Sequence, residues 1–268
     1  MLRGRRVTVP NRVPILMYHE VTETPHSGFI KYSVTRRAFA AQMRWLALAG
    51  YQTIDLPTLL AYRQGQGSIP RRPIIITFDD GFRDCAVHAA RAMAEHGFSA
   101  TFFVVAGLIG GSSVWLRAER GLELPLMSWD DARALERAGH HCESHSVTHP
   151  RLAELSPVAC RGELSGSREL IEDALGHAVR YLAYPFGSHN EQVRAVAREC
   201  GYLGACSVTM GLSGAGDDAL ALERVPVLGT DSLFDFISRL GSAYSVGDRL
   251  SHLARSVTGR RARSTSAE

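Results

Sequence analysis

Cysteine and lysine are scarce in this sequence, and long apolar runs are missing. Five cysteines in 268 residues, none of them in a C-x-x-C pair, exclude a disulfide scaffold, a zinc ribbon and a thioredoxin-type site. Lys31 is the only lysine, so arginine carries nearly all of the positive charge. No apolar stretch approaches the length of a membrane span or of a signal-peptide core, so we expect a soluble chain without an export signal.

Composition is that of a folded domain with a mild basic excess. Hydrophobic residues make up 45% of the chain, which is enough for a buried core, and the formal charge is only +3. The excess arginines gather at the two ends, so nucleic acid is not an expected partner. We predict a basic N-terminal tail (1–12), one folded domain (13–241) and a basic C-terminal tail (242–268). The tails are interpreted as solvated, with contact to a membrane surface or a polyanion as the alternative.

Short apolar runs alternate with helical periodicity along the domain. The clearest buried strand is the β-branched run at 74–78, and well-capped helices are predicted at about 36–49 and 84–96. Residues 106–127 read as a long loop insertion because they carry glycine, serine and proline. Strand–helix alternation of this kind predicts an α/β fold with a mostly parallel sheet, either doubly wound or closed as a barrel.

Polar residues follow several of the predicted strands and help to choose between these folds. His19 follows the first strand, Asp79 and Asp80 follow the isoleucine-rich strand, and His145 and the turn at 184–187 follow two later strands. Side chains at the carboxyl ends of many different strands converge on one point only if the sheet curls around an axis. The sequence therefore favours a distorted or incomplete (β/α) barrel of about seven parallel strands, similar to a TIM barrel.

Two adjacent carboxylates, Asp79 and Asp80, come directly after the buried strand. Burial of such a pair requires a cation or strong hydrogen-bond donors. Because successive strand side chains point to opposite faces, the two carboxylates are expected to do different jobs. In the competing interpretation one caps the following helix and the other is solvated, since Asp-Asp-Gly is also common turn chemistry.

A pair of histidines, His145 and His149, is spaced so that both imidazoles can bind one metal ion. The β-branched Val147 and Thr148 between them, with proline next, favour a loop after a strand rather than a helix. Together with Asp80 the pair supplies two histidines and one carboxylate, a set that leaves positions open on a metal. An H-x-x-x-H spacing is by itself a weak signal.

Three motifs in this order, TFDDG, HSVTH and YPFG, carry a family resemblance. Around them stand VPILMYHEV, ATFFVV, MSWDDARALERAGH and LAYPFGSHN. The chain resembles the polysaccharide deacetylases of carbohydrate esterase family 4, which share the NodB-homology domain. Its ILMYHE and YPFG segments resemble the branch that deacetylates exopolysaccharides of the poly-N-acetylglucosamine type. The resemblance covers roughly residues 14–239.

The resemblance implies a metal-dependent hydrolase that removes N-acetyl groups from an N-acetylglucosamine-type polysaccharide. Asp79 is then the general base, and Asp80, His145 and His149 are the metal ligands. The metal is typically Zn2+, with Co2+ or Ni2+ as substitutes. The turn of Tyr184, Pro185 and Phe186 is expected to contact substrate and to offer a backbone N–H to the oxyanion.

The chain departs from the family pattern at two positions. Many members carry an arginine, two residues before the proline of the third motif, that orients the base; here Ala183 stands there and Arg180 is the nearest arginine. The usual C-terminal histidine that serves as general acid is also not evident. His19 is our candidate for that role because it ends the first strand, although a hydrogen-bonded structural histidine is an equal interpretation.

Three functions remain open from the sequence. The first is the deacetylase of an exopolysaccharide, and the second is the same chemistry on peptidoglycan, chitooligosaccharide or a small N-acetyl sugar. The third is a carbohydrate-binding homologue that keeps the metal but lacks an efficient base or acid. The expected partner is an N-acetylated glycan. The cytoplasm is the compartment that the sequence indicates, with envelope association as the alternative because polymer-modifying relatives are usually exported.

Overall fold

The computed structural model describes residues 12–244. The predicted tails lie almost entirely outside these residues, and the division at 12 and 241 stays a prediction. The strands within the described part are β1 (Arg12–Val13), β2 (Ile15–Tyr18), β3 (Glu20–Thr22), β4 (Ser33–Thr35), β5 (Gln52–Thr53), β6 (Pro73–Phe78), β7 (Thr101–Val104), β8 (His141–Ser144), β9 (Tyr181–Ala183), β10 (Gly204–Met210), β11 (Ser213–Gly214) and β12 (Leu222–Pro226).

Helices follow or separate most of these strands. They are α1 (Arg36–Leu48), α2 (Leu56–Arg63), α3 (Ala90–Ala94), α4 (Val114–Arg120), α5 (Trp129–Arg137), α6 (Pro157–Leu175), α7 (Glu191–Glu199) and α8 (Leu233–Ser242). In the part of the chain that the structure describes, none of them is both long enough and apolar enough to cross a membrane.

Seven parallel strands close into a barrel. Their order is β2, β12, β10, β9, β8, β7 and β6, and β6 pairs again with β2. The closing pair is in register from Ile15 opposite Ile75 to Tyr18 opposite Phe78. The short strand β5 pairs with the amino-terminal residues of β6. This confirms the predicted distorted (β/α) barrel, and the barrel is closed rather than incomplete.

The barrel strands bury side chains on both faces, which explains their continuous apolar runs. Ile74 and Ile76 pack outward against the helices, whereas Ile75 joins an inner cluster with Phe103 and Cys206. Because strand side chains alternate between the two faces, every second residue of a barrel strand points into the barrel. Asp79 therefore continues the inward-facing row of Ile75.

Helix ends agree well with the sequence signals. The side chains of Thr35, Ser128 and Ser156 accept backbone N–H groups at the starts of α1, α5 and α6, which satisfies donors that have no partner within the helix. Two expectations need correction. The helix expected at about 84–96 begins as a π-helical turn, Cys85–Ala89, before α3. The stretch 106–127 is not purely a loop, because it contains α4.

Candidate active site

An open cavity of about 530 Å³ lies at the carboxyl ends of the barrel strands. Every residue singled out as catalytic or metal-binding from the sequence lines it: His19, Asp79, Asp80, His145 and His149. The third-motif residues Tyr184 and Phe186 line it as well. Closure of the barrel thus brings together side chains from β2, β6, β8 and β9 that lie far apart in the sequence.

A three-residue donor cluster stands at the floor of this cavity. Asp80 Oδ1 lies 3.3 Å from His145 Nε2 and 3.2 Å from His149 Nε2. One ligand atom from each of the three residues lies within 4.8 Å of the others, and all three side chains are buried. Two imidazoles and one carboxylate are a donor set that suits a divalent ion such as zinc. The residues present therefore fit a metal site.

The contacts of the two imidazoles leave their Nε2 atoms facing Asp80. His145 Nδ1 lies 2.7 Å from the carbonyl oxygen of Ala183, and this contact assigns the proton to Nδ1 and the lone pair to Nε2. His149 stacks on Trp115 with ring centroids 4.4 Å apart. Among the described residues its buried Nδ1 has no hydrogen-bond partner. Trp115 is thus a packing anchor for His149, and it is mostly buried.

The segment that carries both histidines is a tightly held loop after β8, as the β-branched residues between them predicted. Glu163 of α6 accepts hydrogen bonds from the backbone N–H groups of Val147 and Thr148, each at 2.9 Å. The backbone N–H of Gly107 donates to the Val147 carbonyl, and a Cβ at Gly107 would lie only 2.7 Å from Val147 Cγ1. The loop is therefore positioned by contacts that need no ligand.

Asp79 forms a buried two-point ion pair with Arg224, a residue that the sequence analysis did not single out. Nη1 donates to Oδ1 at 2.7 Å and Nη2 donates to Oδ2 at 2.6 Å. Arg224 is held in place by further hydrogen bonds to Thr77 Oγ1 and to the Ser207 carbonyl. Burial alone would raise the pKa of Asp79, but the charge and hydrogen bonds of Arg224 lower it below its ordinary value.

Arg224 makes the contact with Asp79 for which the sequence analysis found only Arg180 as the nearest arginine. Arg180 lies at the amino end of β9, at the opposite end of the barrel from the cavity, where its backbone N–H donates to Glu143. Arg224 is the middle residue of β12 and faces into the barrel, where its guanidinium lies against Asp79. The signal that could have found it was an arginine at an inward position of a predicted strand.

Asp80 is distinguished from its neighbour by its backbone. Its φ of 74° lies in the left-handed region, so the chain turns sharply after Asp79 and both carboxylates reach the cavity. Burial raises the pKa of Asp80, but the two imidazoles of His145 and His149 that face its carboxylate outweigh this effect, and the pKa lies well below the ordinary range. The two carboxylates have separate partners, as the alternation of strand side chains suggested.

Backbone strain is concentrated at this site. Five non-glycine residues in the range 12–244 have a positive φ, and four of them carry or flank the predicted site residues: Asp80, Ser146, His149 and Phe186. Such conformations cost about 1–3 kcal/mol each and persist only where surrounding contacts enforce them. The fold thus holds the site in a geometry that the local backbone disfavours.

His19 lies at the end of β2 on the wall of the cavity. Its ring centroid is 4.9 Å from that of Tyr32. The role of His19 as the acid stays a prediction. Burial lowers the pKa of His19, while the charges of Asp80 and Asp79 oppose the shift.

The third motif forms a 3-10 turn, Pro185–Gly187, after β9. The Tyr184 hydroxyl donates to the Leu220 carbonyl at 2.8 Å, and Phe186 meets the His149 ring edge-to-face at 4.5 Å. Gly187 has a φ of 66°, and a Cβ there would lie 2.2 Å from Val208 Cγ2, so only glycine fits. The turn packs against the donor cluster, and the predicted substrate contacts of Tyr184, Pro185 and Phe186 stay predictions.

Comparison with known proteins assigns the chain to a family. The family model described as polysaccharide deacetylase matches residues 66–205, just over half of the chain. The protein YxkH of Bacillus subtilis (strain 168) is 27% identical over 219 residues, which are 81% of this chain and 72% of YxkH. The poly-beta-1,6-N-acetyl-D-glucosamine N-deacetylase of Staphylococcus aureus (strain MRSA252) is 22% identical over 179 residues, covering 63% of this chain and 59% of that enzyme.

Solved structures share the fold. The deacetylase PplD of Streptococcus pyogenes, determined in complex with acetate, superposes with a TM-score of 0.75 at 20% identity, over 87% of this chain and 99% of that one. At this identity the likeness supports the architecture alone. The family match, the barrel and the three ordered motifs at one cavity agree with one another, and the chain belongs to the polysaccharide deacetylase family of hydrolases.

Proposed function

We propose that this protein hydrolyses the N-acetyl groups of an N-acetylglucosamine-type polysaccharide and releases acetate. The observation that carries the proposal is the meeting, in one cavity, of the donor cluster of Asp80, His145 and His149 with the carboxylate of Asp79 held by Arg224. The name of the Staphylococcus aureus relative supports a β-1,6-linked polymer of N-acetylglucosamine as the substrate class.

Asp80, His145 and His149 would hold the divalent ion, and Zn2+ is the ion we propose, with Co2+ or Ni2+ as substitutes. When bound, such an ion polarises a carbonyl and lowers the pKa of a water molecule to about 7. The contact of His145 Nδ1 with Ala183 supports this assignment, because ligating imidazoles commonly direct their other nitrogen to a carbonyl.

Asp79 is the proposed general base. Arg224 holds it ionised and fixes the plane of its carboxylate, so each oxygen keeps a lone pair that can accept a proton from the attacking water. Water adds to the acetyl carbon, and a backbone N–H near Phe186 stabilises the oxyanion. The carbon–nitrogen bond then breaks as His19 donates a proton to the departing amine, giving acetate and glucosamine.

The pairing of Arg224 with Asp79 bears on the carbohydrate-binding alternative. That interpretation rested on Ala183 in the third motif and on the absence of a C-terminal histidine. Arg224 supplies from β12 the contact that Ala183 cannot make, and His19 offers an imidazole in the same cavity. Both observations favour catalysis over binding alone.

Acetate release tests the proposal directly. We expect acetate from β-1,6-linked N-acetylglucosamine oligomers, loss of the activity with a chelator, and recovery on addition of zinc. Chitooligosaccharides and peptidoglycan fragments, assayed in parallel, separate the polymer classes. A zinc-loaded protein that releases no acetate from any acetylated glycan would contradict the hydrolase and favour the binding module.

Substitution of the two neighbouring aspartates should separate metal retention from turnover. Asp80→Ala removes the carboxylate of the donor cluster, so we expect it to lose zinc, as measured by metal analysis after gel filtration. Asp79→Asn should keep zinc and lose about 10²–10⁴-fold in kcat, the usual contribution of a general base. Equal zinc loss in both variants would show that the two roles are not separate.

Removal of Arg224 should destabilise the fold in a pH-dependent way. Arg224→Met leaves Asp79 buried without its cation, which costs about 3–5 kcal/mol of unfolding free energy near neutral pH. Because Arg224 lowers the pKa of Asp79, its stabilisation is present above the ordinary aspartate pKa and is lost as the pH falls. The deficit relative to wild type should shrink in acid, as measured by chemical denaturation.

The same variant should also change the pH dependence of activity. Once Arg224 is gone, burial raises the pKa of Asp79, so the acidic limb of the kcat/KM profile should move to higher pH. Arg161→Met is the matched control, because its pair with Glu199 is exposed and should contribute at most about 1 kcal/mol. An unshifted acidic limb in Arg224→Met would remove Asp79 as the base.

Loss of the proposed acid should slow the reaction without releasing the metal. We expect His19→Ala to retain zinc and to lose about 10²-fold in kcat, since the departing amine then has no proton donor. His189→Ala is the control, because that imidazole stacks on Tyr184 and does not line the cavity. Unchanged kinetics in His19→Ala would exclude His19 from the reaction.

A further inference from the structure

Two cations stand at the mouth of the cavity beside one aromatic ring. Lys31 lies in the segment between β3 and β4, and its Nζ is 5.4 Å from the centre of the Tyr32 ring. Arg120 ends α4, and its guanidinium carbon is 5.3 Å from the same ring. Both side chains are exposed and both line the cavity. Two separate elements thus bring positive charge to within 5.4 Å of the centre of one ring.

These two cations differ from the other charged side chains around the cavity. Asp79 is paired with Arg224, Arg151 with Glu119 at 3.0 Å, and Arg239 with Asp231 at 2.9 Å. Within residues 12–244, neither cation at the mouth has a carboxylate partner, and the polar contact of Arg120 is to the Gly28 carbonyl at 3.3 Å. The mouth therefore presents unneutralised positive charge.

The segment bearing Lys31 and Tyr32 is held in place rather than loosely attached. The backbone N–H of Gly229 donates to the Lys31 carbonyl at 3.0 Å, and the Ser33 hydroxyl donates to the Phe29 carbonyl at 2.9 Å. A Cβ at Gly229 would lie 2.1 Å from the Ser33 carbonyl oxygen, so the two segments approach as closely as glycine allows.

Tyr32 also connects this charge to the reacting centre. Its ring centroid lies 4.9 Å from that of His19, and both cations lie within 5.4 Å of the same ring centre. We infer that a group bound by the two cations belongs to a sugar next to the one that is deacetylated.

We propose that Lys31 and Arg120 form a subsite for an acidic group on the sugar adjacent to the reacting N-acetylglucosamine residue. The inference rests on the proposed function and adds to it a preference, among glycans that contain N-acetylglucosamine, for those that also carry carboxylates. A glucosamine ammonium in the same subsite is repelled by both cations. The enzyme therefore prefers an acidic neighbour to a neutral one, and a neutral neighbour to one already deacetylated.

Matched substrates test the preference. N-acetylglucosaminyl disaccharides whose neighbouring sugar bears either a uronate or a lactyl-ether carboxylate are compared with their own methyl esters, which differ only in charge. We expect kcat/KM to favour the acid by about threefold to tenfold at low ionic strength, from two exposed charge contacts. The preference should fall as salt is raised. Whichever disaccharide shows the larger ratio identifies the source of the carboxylate.

Variants assign the preference to the two cations. In Lys31→Gln/Arg120→Gln the ratio of acid to ester should fall to about one, whereas Arg91→Gln, an exposed arginine of α3 outside the cavity, should leave the ratio unchanged. Because Lys31 is the only lysine, amine acetylation should lower the ratio and reductive methylation, which keeps the charge, should not. The Lys31→Gln protein controls for reaction at the N-terminal amine.

Binding measurements separate this inference from the proposed function. Calorimetry with Asp79→Asn compares the affinity for acid and ester without turnover. A preference for the acid there supports the subsite even if no acetate is released by the wild type, an outcome that would contradict only the hydrolase. The subsite is overturned if the acid-to-ester ratio is near one in the wild type, or if the ratio in Lys31→Gln/Arg120→Gln is the same as in the wild type.

Discussion

The buried pairing of Asp79 with Arg224 is the contact on which the geometry of the site depends. It joins β6 to β12 across β2, the strand that closes the barrel between them. Two charges removed from water carry a large desolvation cost, which only good geometry and further hydrogen bonds offset. Both oxygens of the carboxylate and three nitrogens of the guanidinium are engaged, so the pair tolerates one arrangement of the three strands and thereby sets the position of the Asp79 carboxylate.

Strain and packing then determine where the second carboxylate goes. A strand that simply continued past Asp79 would point Asp80 out of the barrel, and the positive φ at Asp80 prevents this. The same left-handed geometry recurs at Ser146 and His149, which lets both imidazoles of the loop face one oxygen of Asp80. The backbone hydrogen bonds to Glu163 help to hold the loop in this strained conformation.

The barrel and the donor cluster could be predicted from the sequence because both depend on local patterns. The isoleucine-rich run, the capped helices and the motifs around Asp80 and His145 are short-range signals. Arg224 was not predicted because its contact with Asp79 depends on which residues of β12 point into the barrel and on closure of the barrel. No local sequence pattern indicates either. The family match shows the same limit, since 66–205 contains the donor cluster but neither His19 nor Arg224. α4 was missed because glycine, serine and proline on both sides obscure its seven residues.

Charge is distributed in the cavity in a way that bears on the whole reaction cycle. The charge of Asp79 is neutralised by Arg224, and at the mouth Lys31 and Arg120 are cations without a carboxylate partner among residues 12–244. The proposed hydrolysis converts a neutral amide into an ammonium and an acetate anion. The ammonium would form beside His19, whose ring contacts the Tyr32 ring that both cations approach, and repulsion from them would favour departure of the product sugar. The two charges proposed to select an acidic neighbour for the substrate would therefore also oppose retention of the deacetylated product, without any change in the structure of the site.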